Sequence, residues 1–539
     1  MSSSTSTESP KQSKRAKKQQ KKQHGTDTIP PKKPAKVLLA DTIGQALHER
    51  LLSFGDRYHQ HQHAHQPLGQ HHHNGWQPVD QQLLSTSPYL TVPQIPRSSA
   101  SSSNISRKSS SMTLSSYDDR SVASSRTSHD SSPSPGTSKP SSSYCNEQPQ
   151  PNRIITLNPP CSMAAIEHLI SRHGQVSHMG VLDPSYSLFV NTTRTALLCF
   201  KVCNKVAIVS GDPMCGVEEY GSVLSEFQTW RQRQRLDIAF LGTSERMVDY
   251  AQCQHPHPQN ENEKDTKSWT ILEFGRERVL NPLTNPVLHE QEGKRIVLQT
   301  KQLLHPAKGG IALNLYIAPA PSSAATTTTE DQTLQSQLTE IYKTWRHHRN
   351  TSTGTQTQAF ITTPTPFTVP ESHPHPQIIY IYTTTTTTTA PGTGTGTGTP
   401  NALAALRYLG THHGYHLDPC IAAPGSPRGL SDLLVFAAMA LLRRLACNYL
   451  SLGVEPYAQL GRVEGFASPL VEKLTRRAYR YAFARLPIQG KRAYFDKFRP
   501  DPALERGLFL VFVGENSGHW QVVGVAHLAN IKIRRVVWG

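Results

Sequence analysis

Apolar positions cluster in two blocks of the chain, 152–318 and 401–539, each preceded by polar sequence. In the first block "CSMAAIEHLISRHG" has helical spacing, with Ser162 placed to cap its start and Gly174 to end it. "SLFVN", "TALLCFKVCN" and "VAIVSG" follow as β-branched, apolar runs of strand length. A turn at "GDPMCG" (211–216) leads into a helix at "VLSEFQTWRQRQR" and a strand at "LDIAFLG". After a charged excursion at 255–268, "SWTILEFGRERVL" and "GKRIVLQTKQLLHPAKGGIALNLYIA" continue the pattern. The second block repeats the logic. "DLLVFAAMALLRRLACNYL" predicts a helix with Asp432 in its first turn, "YLSLG" a strand, and "SPLVEKLTRRAYRYAFARL" a helix opened by Ser468-Pro469. "GLFLVFVG" and "QVVGVAHLAN" read as a closing hairpin. Helix, antiparallel strands, turn, helix, strand is the order of a mixed α/β sheet rather than a strictly alternating doubly wound one.

Outside these blocks the periodicity fades. Residues 1–150 are dominated by Ser, Gln, His, Pro and Lys, too apolar-poor to offset the entropy of ordering a backbone. One exception is 38–55, "LLADTIGQALHERLLSFG", where Leu39, Ile43, Leu47 and Leu51 recur at helical spacing and predict an amphipathic helix able to dock on the core or a membrane. The tract 319–400, with "TTTTTTTAPGTGTGTGTP", reads as a low-complexity insertion between two halves of one catalytic unit. The two blocks hold roughly 300 residues, enough for one large domain or two packed ones.

The net charge of +17 and pI of about 9.5 point to polyanionic partners. Ten Lys or Arg lie in residues 1–37 against Glu8 and Asp27, so much of the excess sits in an arm equally readable as a solubilising tail. The eight cysteines lack paired zinc spacing, and Cys199 and Cys203 fall in a strand-like run that reads as buried free thiols. "MSSSTSTESPKQ" has no signal-peptide core, and the most apolar run is broken by Arg443 and Arg444. The expectation is a cytoplasmic protein with at most peripheral membrane contact.

Several motifs fail on context. "GTGTGTGTP" has glycine spacing without the strand and helix that a phosphate-cradling loop needs. "HHGYHLDP" (412–419) approaches the HHxxxD acid/base pattern, but Asp418 comes one position late. "CQHPHP" (253–258) reads as a surface loop rather than a metal site. The basic helix at 468–486 carries more information. Lys473, Arg476, Arg477 and Arg480 recur at three- and four-residue steps, interleaved with Tyr479, Tyr481 and Phe483, and Lys491, Arg492, Lys497 and Arg499 extend the charge. Cations for phosphates beside rings for stacking suit a single-stranded RNA end; a solvated face with its aromatics turned inward is the equal alternative.

Four blocks in order then carry a resemblance. "GQVSHMGVLDPSYSLFV" with "VAIVSGDPMCG" and Glu226-Phe227, then "AAPGSPRGLSDLLVFAAMALL", "YLSLGVEPYAQLG" and "GKRAYFDKFRPD", resemble the catalytic domain of the phosphatidylglycerol lysyltransferases, and most of all its fungal branch, the ergosteryl amino-acid transferases. The resemblance implies two tandem acetyltransferase-like (GNAT-like) halves, 152–318 and 401–539. It implies transfer of an amino acid from aminoacyl-tRNA to a lipid hydroxyl, here the 3β-hydroxyl of ergosterol. With no synthetase module fused to it, the chain resembles the free-standing type that uses glycyl-tRNA.

An activated ester already exists on such a tRNA, so the reaction calls for no ATP, metal or other cofactor. The enzyme must orient the acceptor hydroxyl, help remove its proton and stabilise the oxyanion. Asp432 or Glu455 can assist the hydroxyl, or each can be a helix-start residue or a structural ion pair. Arg428 and Lys497 are placed by the resemblance to hold the tRNA terminus or the oxyanion, and Asp212 reads as a turn former. Where the bacterial proteins carry a lysine two residues before Lys497, this chain has Phe495, which suits an apolar lipid or shifts the cationic contact to Lys491 or Arg492. Two other function classes stay in view. An acyl-CoA-dependent acetyltransferase needs a Q/R-x-x-G-x-G/A loop that neither block contains. A non-enzymatic RNA- or membrane-binding scaffold rests on the basic tail and would survive loss of the core.

Overall fold

A computed structural model describes residues 37–64, 153–156, 164–178, 181, 183, 185–254, 269–317, 329–352, 378–385, 398–466, 468–484, 489–514 and 519–529. Helix α1 (Leu39–Ala64) precedes strand β1 (Ile154–Thr156) and helix α2 (Ala164–His173). The β-branched runs become β2 (Ser187–Val190), β3 (Leu197–Cys203) and β4 (Val206–Ser210), all antiparallel. Asn204 (φ 53°) and Lys205 (φ 62°) form the two-residue turn between β3 and β4, the double left-handed geometry that matches the twist of paired strands. The chain crosses over through α3 (Tyr220–Arg233) to β5 (Asp237–Thr243), which lies parallel to β4, then passes α4 (Glu245–Gln254) and reaches β6 (Trp269–Leu280).

The same plan recurs. After α5 (Lys294–Leu304), β7 (Ile311–Tyr316), α6 (Thr329–Ser352), β8 (Ile378–Thr385), β9 (Pro400–Leu409) and β10 (Gly414–Ala422) follow, the four strands antiparallel in sequence. Helix α7 (Leu430–Arg444) crosses over to β11 (Leu450–Pro456), which is parallel to β10. Short β12 (Val463–Glu464), α8 (Pro469–Ala484), α9 (Gln489–Asp496), β13 (Arg506–Val513) and α10 (His519–Leu528) complete the described chain. All thirteen strands belong to one sheet, in the order β1-β2-β3-β4-β5-β13-β6-β11-β10-β9-β8-β7, with β12 on β6. The two halves exchange their closing strands. β6 pairs with β11 of the second half, and β13 pairs with β5 of the first. The fold is therefore mixed α/β around one large sheet, with β13 and β6 at its centre.

Three sequence expectations change. The closing hairpin is a strand followed by a helix. β13 is paired on both edges, by β5 and β6, so no edge remains for "QVVGVAHLAN", which becomes α10 and packs over β3, β4 and β5. The tract 319–400 is not only an insertion. It supplies α6, whose Leu338, Ile341 and Tyr342 are buried, and β8, whose Ile378–Ile381 run is core. The second half accordingly begins at β7 and not at residue 401. Within 1–150, the helix predicted at 38–55 forms and docks on the core, with Ala40, Ile43 and Leu47 buried against α7. Gly44 makes the approach possible, since a Cβ there would lie 2.5 Å from the Ala440 carbonyl oxygen. Residues 1–36 and 65–150, most of "CQHPHP" and most of the glycine repeat lie outside the described residues.

The interrupted apolar run at 430–444 is explained by its position. Eleven of its residues, from Leu430 to Leu442, are buried because α7 is enclosed by β9 and β10 on one side and by α1 and α5 on others. A helix apolar all round needs cover all round, and a second protein layer supplies it here. No helix among the described residues is long and apolar enough to cross a membrane. Cys199 and Cys203 are buried free thiols, as their strand positions predict.

Candidate active site

The two parallel strand pairs differ in how far they stay together. β4 and β5 pair over five positions, Val206 to Ser210 against Asp237 to Leu241. β10 and β11 pair only at Tyr415–Leu450 and His416–Ser451 and then separate. Gly453 (φ 94°), at a register shift against β6, turns β11 away at that point. The parting strands carry Asp418 on β10 and Glu455 on β11, and the start of α7 and the whole of α9 bring further charges to the same place.

Asp432 and Lys497 form one pair, with Lys497 Nζ donating to Asp432 Oδ1 at 2.5 Å. Asp432 lies in the first turn of α7, where the helix dipole favours a carboxylate, and Gly429 (φ 96°) makes the tight entry to that helix. The Lys497 ammonium also lies 4.0 Å from the Tyr494 ring centroid and 5.3 Å from that of Phe498. An ammonium held by a carboxylate and two ring faces is an oriented cation. Burial, then the Cys420 and Asp432 charges, push the Tyr494 pKa up.

Glu455 is fully buried and belongs to a second cluster. Arg276 Nη2 donates to Glu455 Oε1 at 3.0 Å, and Arg278 Nε lies 3.2 Å from Oε2 without hydrogen-bond geometry. Arg278 and Arg276 also meet Glu505, at 3.1 and 2.6 Å, and Arg278 reaches Asp496 at the end of α9. Burial pushes the Glu505 carboxyl up, and the two arginines oppose that shift. The two arginines stand on β6, so the exchanged strand supplies the countercharge for a site in the other half. Neither was legible as functional, because "FGRERVL" reads as an ordinary strand with charged alternation.

Lys491 is the least compensated charge of the group. Its Nζ lies 5.0 Å over the Phe495 ring, and a Cβ on Gly453 would be 4.0 Å from it. No hydrogen bond or ion pair within 4 Å engages it among the described residues. The residue as a whole is only partly exposed, but the ammonium is closely surrounded. Desolvation lowers its pKa, and the more distant Asp418 and Glu455 carboxylates oppose that shift. His416 Nε2 is beside it at Gly453, buried and held well below the usual histidine range by desolvation and by Arg407 and Lys491. Asp418, one position late for the HHxxxD pattern, is instead a distant countercharge to Lys491.

The remaining sequence candidates disperse. Arg428 is exposed at the entry to α7, with its carbonyl accepting from Gln299 Nε2 at 2.9 Å. Arg492 Nε is 3.6 Å from Asp496, and Arg499 is paired with Glu292. Phe495 is 7% exposed and packed in the α7 core, so it is the floor under Lys491 and not a lipid-facing wall. The α8 cations do not form one stripe. Arg476 turns inward to Glu472 and to the carbonyls of Leu460 and Gly461, whereas Lys473, Arg477 and Arg480 face out. Tyr479 and Phe483 point inward. Asp212 accepts from the Ser244 amide at 2.8 Å, its hydroxyl at 2.5 Å and Gln175 at 3.0 Å, the saturated role of a turn and helix-start residue.

Comparison with curated protein sequences finds no match. The structure of L-PGS from Bacillus licheniformis is similar at 13% identity, covering 69% of this chain and 96% of that one, with a TM-score of 0.46. The C-terminal domain of a putative lysylphosphatidylglycerol synthetase from Agrobacterium fabrum is similar at 13% identity, covering 67% and 94%, with a TM-score of 0.46. A tandem GNAT protein from the clavulanic acid biosynthesis pathway covers 68% and 98% at 9% identity and a TM-score of 0.25. Residues 324–506, from the approach to α6 to the first residue of β13, match the family described as phosphatidylglycerol lysyltransferase, C-terminal. That match takes in less than half of the chain, but it includes every charged residue of the site except Arg276 and Arg278, and over this span the chain is similar to that family.

Proposed function

We propose that the protein is an aminoacyl-tRNA-dependent aminoacyltransferase that esterifies a lipid hydroxyl, with its active site at the parting of β10 and β11. The observation that carries this reading is the convergence of Lys491, the Asp432–Lys497 pair and Glu455 on that gap, within the segment that matches the family. The chemistry is an exchange of esters. The acceptor oxygen attacks the carbonyl carbon of the aminoacyl ester, a tetrahedral oxyanion forms, and its collapse expels the terminal ribose oxygen of the tRNA. The proton lost by the acceptor ends on that ribose oxygen.

Each charge has a use in this scheme. The oriented Lys497 ammonium suits the oxyanion or a terminal phosphate, and Asp432 positions it. Lys491, whose ammonium form is disfavoured by desolvation, suits proton transfer between the two hydroxyls. Glu455, tied to two arginines, serves to position β6 and α9 more than to accept a proton. For Arg428, Arg492 and Arg499 we keep contacts with the tRNA end on the sequence pattern, not on their place beside the gap. We take the acceptor to be a sterol 3β-hydroxyl and the donor glycyl-tRNA, on the resemblance of the four sequence blocks.

The test is the full chain with labelled glycyl-tRNA and ergosterol-containing vesicles, alongside phosphatidylglycerol vesicles and lysyl-tRNA. An RNase-sensitive labelled sterol ester is expected. Transfer to phosphatidylglycerol alone would overturn the sterol assignment and leave the reaction class standing. No transfer from any charged tRNA, with a folded protein, overturns the reading.

A further inference from the structure

The inward face of α8 is pinned and its outward face is apolar. Tyr479 Oη donates to the carbonyls of Phe274 at 3.0 Å and Tyr457 at 2.9 Å, and the Arg476 guanidinium donates to those of Leu460 and Gly461 at 2.8 and 3.0 Å. Phe483 is buried on the same side. These contacts fix the rotation of the helix about its axis. With 3.6 residues per turn, the opposite side then presents Leu470, Leu474 and Tyr481 in line, with Val471 and Ala478 on one flank. Leu470 is 77% exposed and Leu474 68%, and Val471 and Tyr481 are nearly half exposed. The other flank carries Lys473, Arg477 and Arg480, all exposed and in no salt bridge among the described residues. α10, seated in the same apolar cluster through Val525 and Leu528, leaves Trp520 and Val522 exposed as well.

An apolar stripe beside a row of cations, on a helix that cannot rotate, does not suit an RNA surface, where two exposed leucines at the centre would displace hydrated phosphates. It suits the interface of an anionic bilayer, with leucines among the acyl chains and cations among the headgroups. We propose that the outward face of α8 is the surface by which this protein docks on a membrane carrying anionic lipid. This rests on the lipid acceptor proposed above and deepens it. α9, which carries Lys491, is the next element after α8 in the chain. The cations Lys473, Arg477 and Arg480, expected from the sequence to contact tRNA, are reassigned to lipid headgroups.

The test uses the full chain and its variants in sedimentation with phosphatidylcholine vesicles, with and without about 30 mol % phosphatidylserine, in the absence of tRNA and acceptor. The basic residues 1–37 stay in every variant, so their contribution cancels. Leu470→Glu/Leu474→Glu is expected to weaken partitioning on the order of tenfold or more, with unchanged Tm and unchanged binding of uncharged tRNA. Lys473→Glu/Arg477→Glu/Arg480→Glu is expected to weaken partitioning on anionic vesicles roughly 100-fold or more, from about fivefold per cation lost. Wild-type partitioning by the leucine variant overturns the proposal. So does a charge variant that loses tRNA binding and keeps vesicle binding, which would make this face an RNA surface. Vesicle binding is read without turnover, so a failure of the proposed reaction leaves this result interpretable. If the reaction holds, the leucine variant keeps transfer to detergent-dispersed acceptor and loses it to acceptor in vesicles.

Discussion

Replacing Lys497 by alanine separates a structural ion pair from a working cation. The substitution removes a donor 2.5 Å from Asp432 Oδ1 and two ring contacts, at 4.0 and 5.3 Å. The pair is neither exposed nor fully enclosed, with side-chain exposures of 34% for Lys497 and 16% for Asp432. An exposed pair contributes about 0–1 kcal/mol, and orphaning a buried partner costs about 3–5 kcal/mol. The α7 dipole still favours the Asp432 carboxylate, so a loss near 2 kcal/mol is expected, including about 0.5–1 kcal/mol from the ring contacts. If Lys497 stabilises the oxyanion, single-turnover transfer from labelled aminoacyl-tRNA falls by about 100- to 1000-fold, equivalent to roughly 3–4 kcal/mol. The double variant Asp432→Asn/Lys497→Met removes both charges and should recover most of the stability without recovering transfer. Denaturant unfolding and transfer measured on the same preparations give both numbers. Transfer within twofold of wild type in folded Lys497→Ala would refute the assignment, and transfer tracking stability through the double variant would reduce the pair to a structural one.

Three further outcomes follow from the same geometry. Lys491 has a folded pKa below the ordinary lysine value of 10.5, so the unfolded chain binds more protons between those two values and stability should rise with pH across that window. Lys491→Met should flatten that rise, match or exceed wild-type stability at neutral pH in denaturant titrations, and abolish transfer. Arg278→Met leaves fully buried Glu455 with Arg276 alone and Glu505 undercompensated, so it should lose about 3–5 kcal/mol in urea unfolding. Adding Glu505→Gln should restore part of it. Gly44→Val places side-chain atoms against the Ala440 carbonyl and should cost about 1–3 kcal/mol, read as a lower Tm and as proteolysis within α1; an unchanged Tm would mean that α1 is not held by this contact.

Much was written locally along the chain. Strand and helix type at 187–243, the largely apolar α7, the docking helix expected at 38–55 and the buried thiols follow from side-chain periodicity, because each depends on which neighbours a residue meets within a turn or a pleat. Asp432, Glu455, Lys491 and Lys497 could be named from sequence blocks. Their pairing could not, since Asp432 meets Lys497 across 65 positions and Glu455 meets Arg276 across 179. Arg276 and Arg278 reach the site only because the halves exchange closing strands, a choice made by sheet edges and not by local preference. The same edges turned the final apolar run into α10. Burial separated the rest: Phe495 and Leu474 are both apolar residues of helices, and only the layer packed against each decides that one is floor and the other surface.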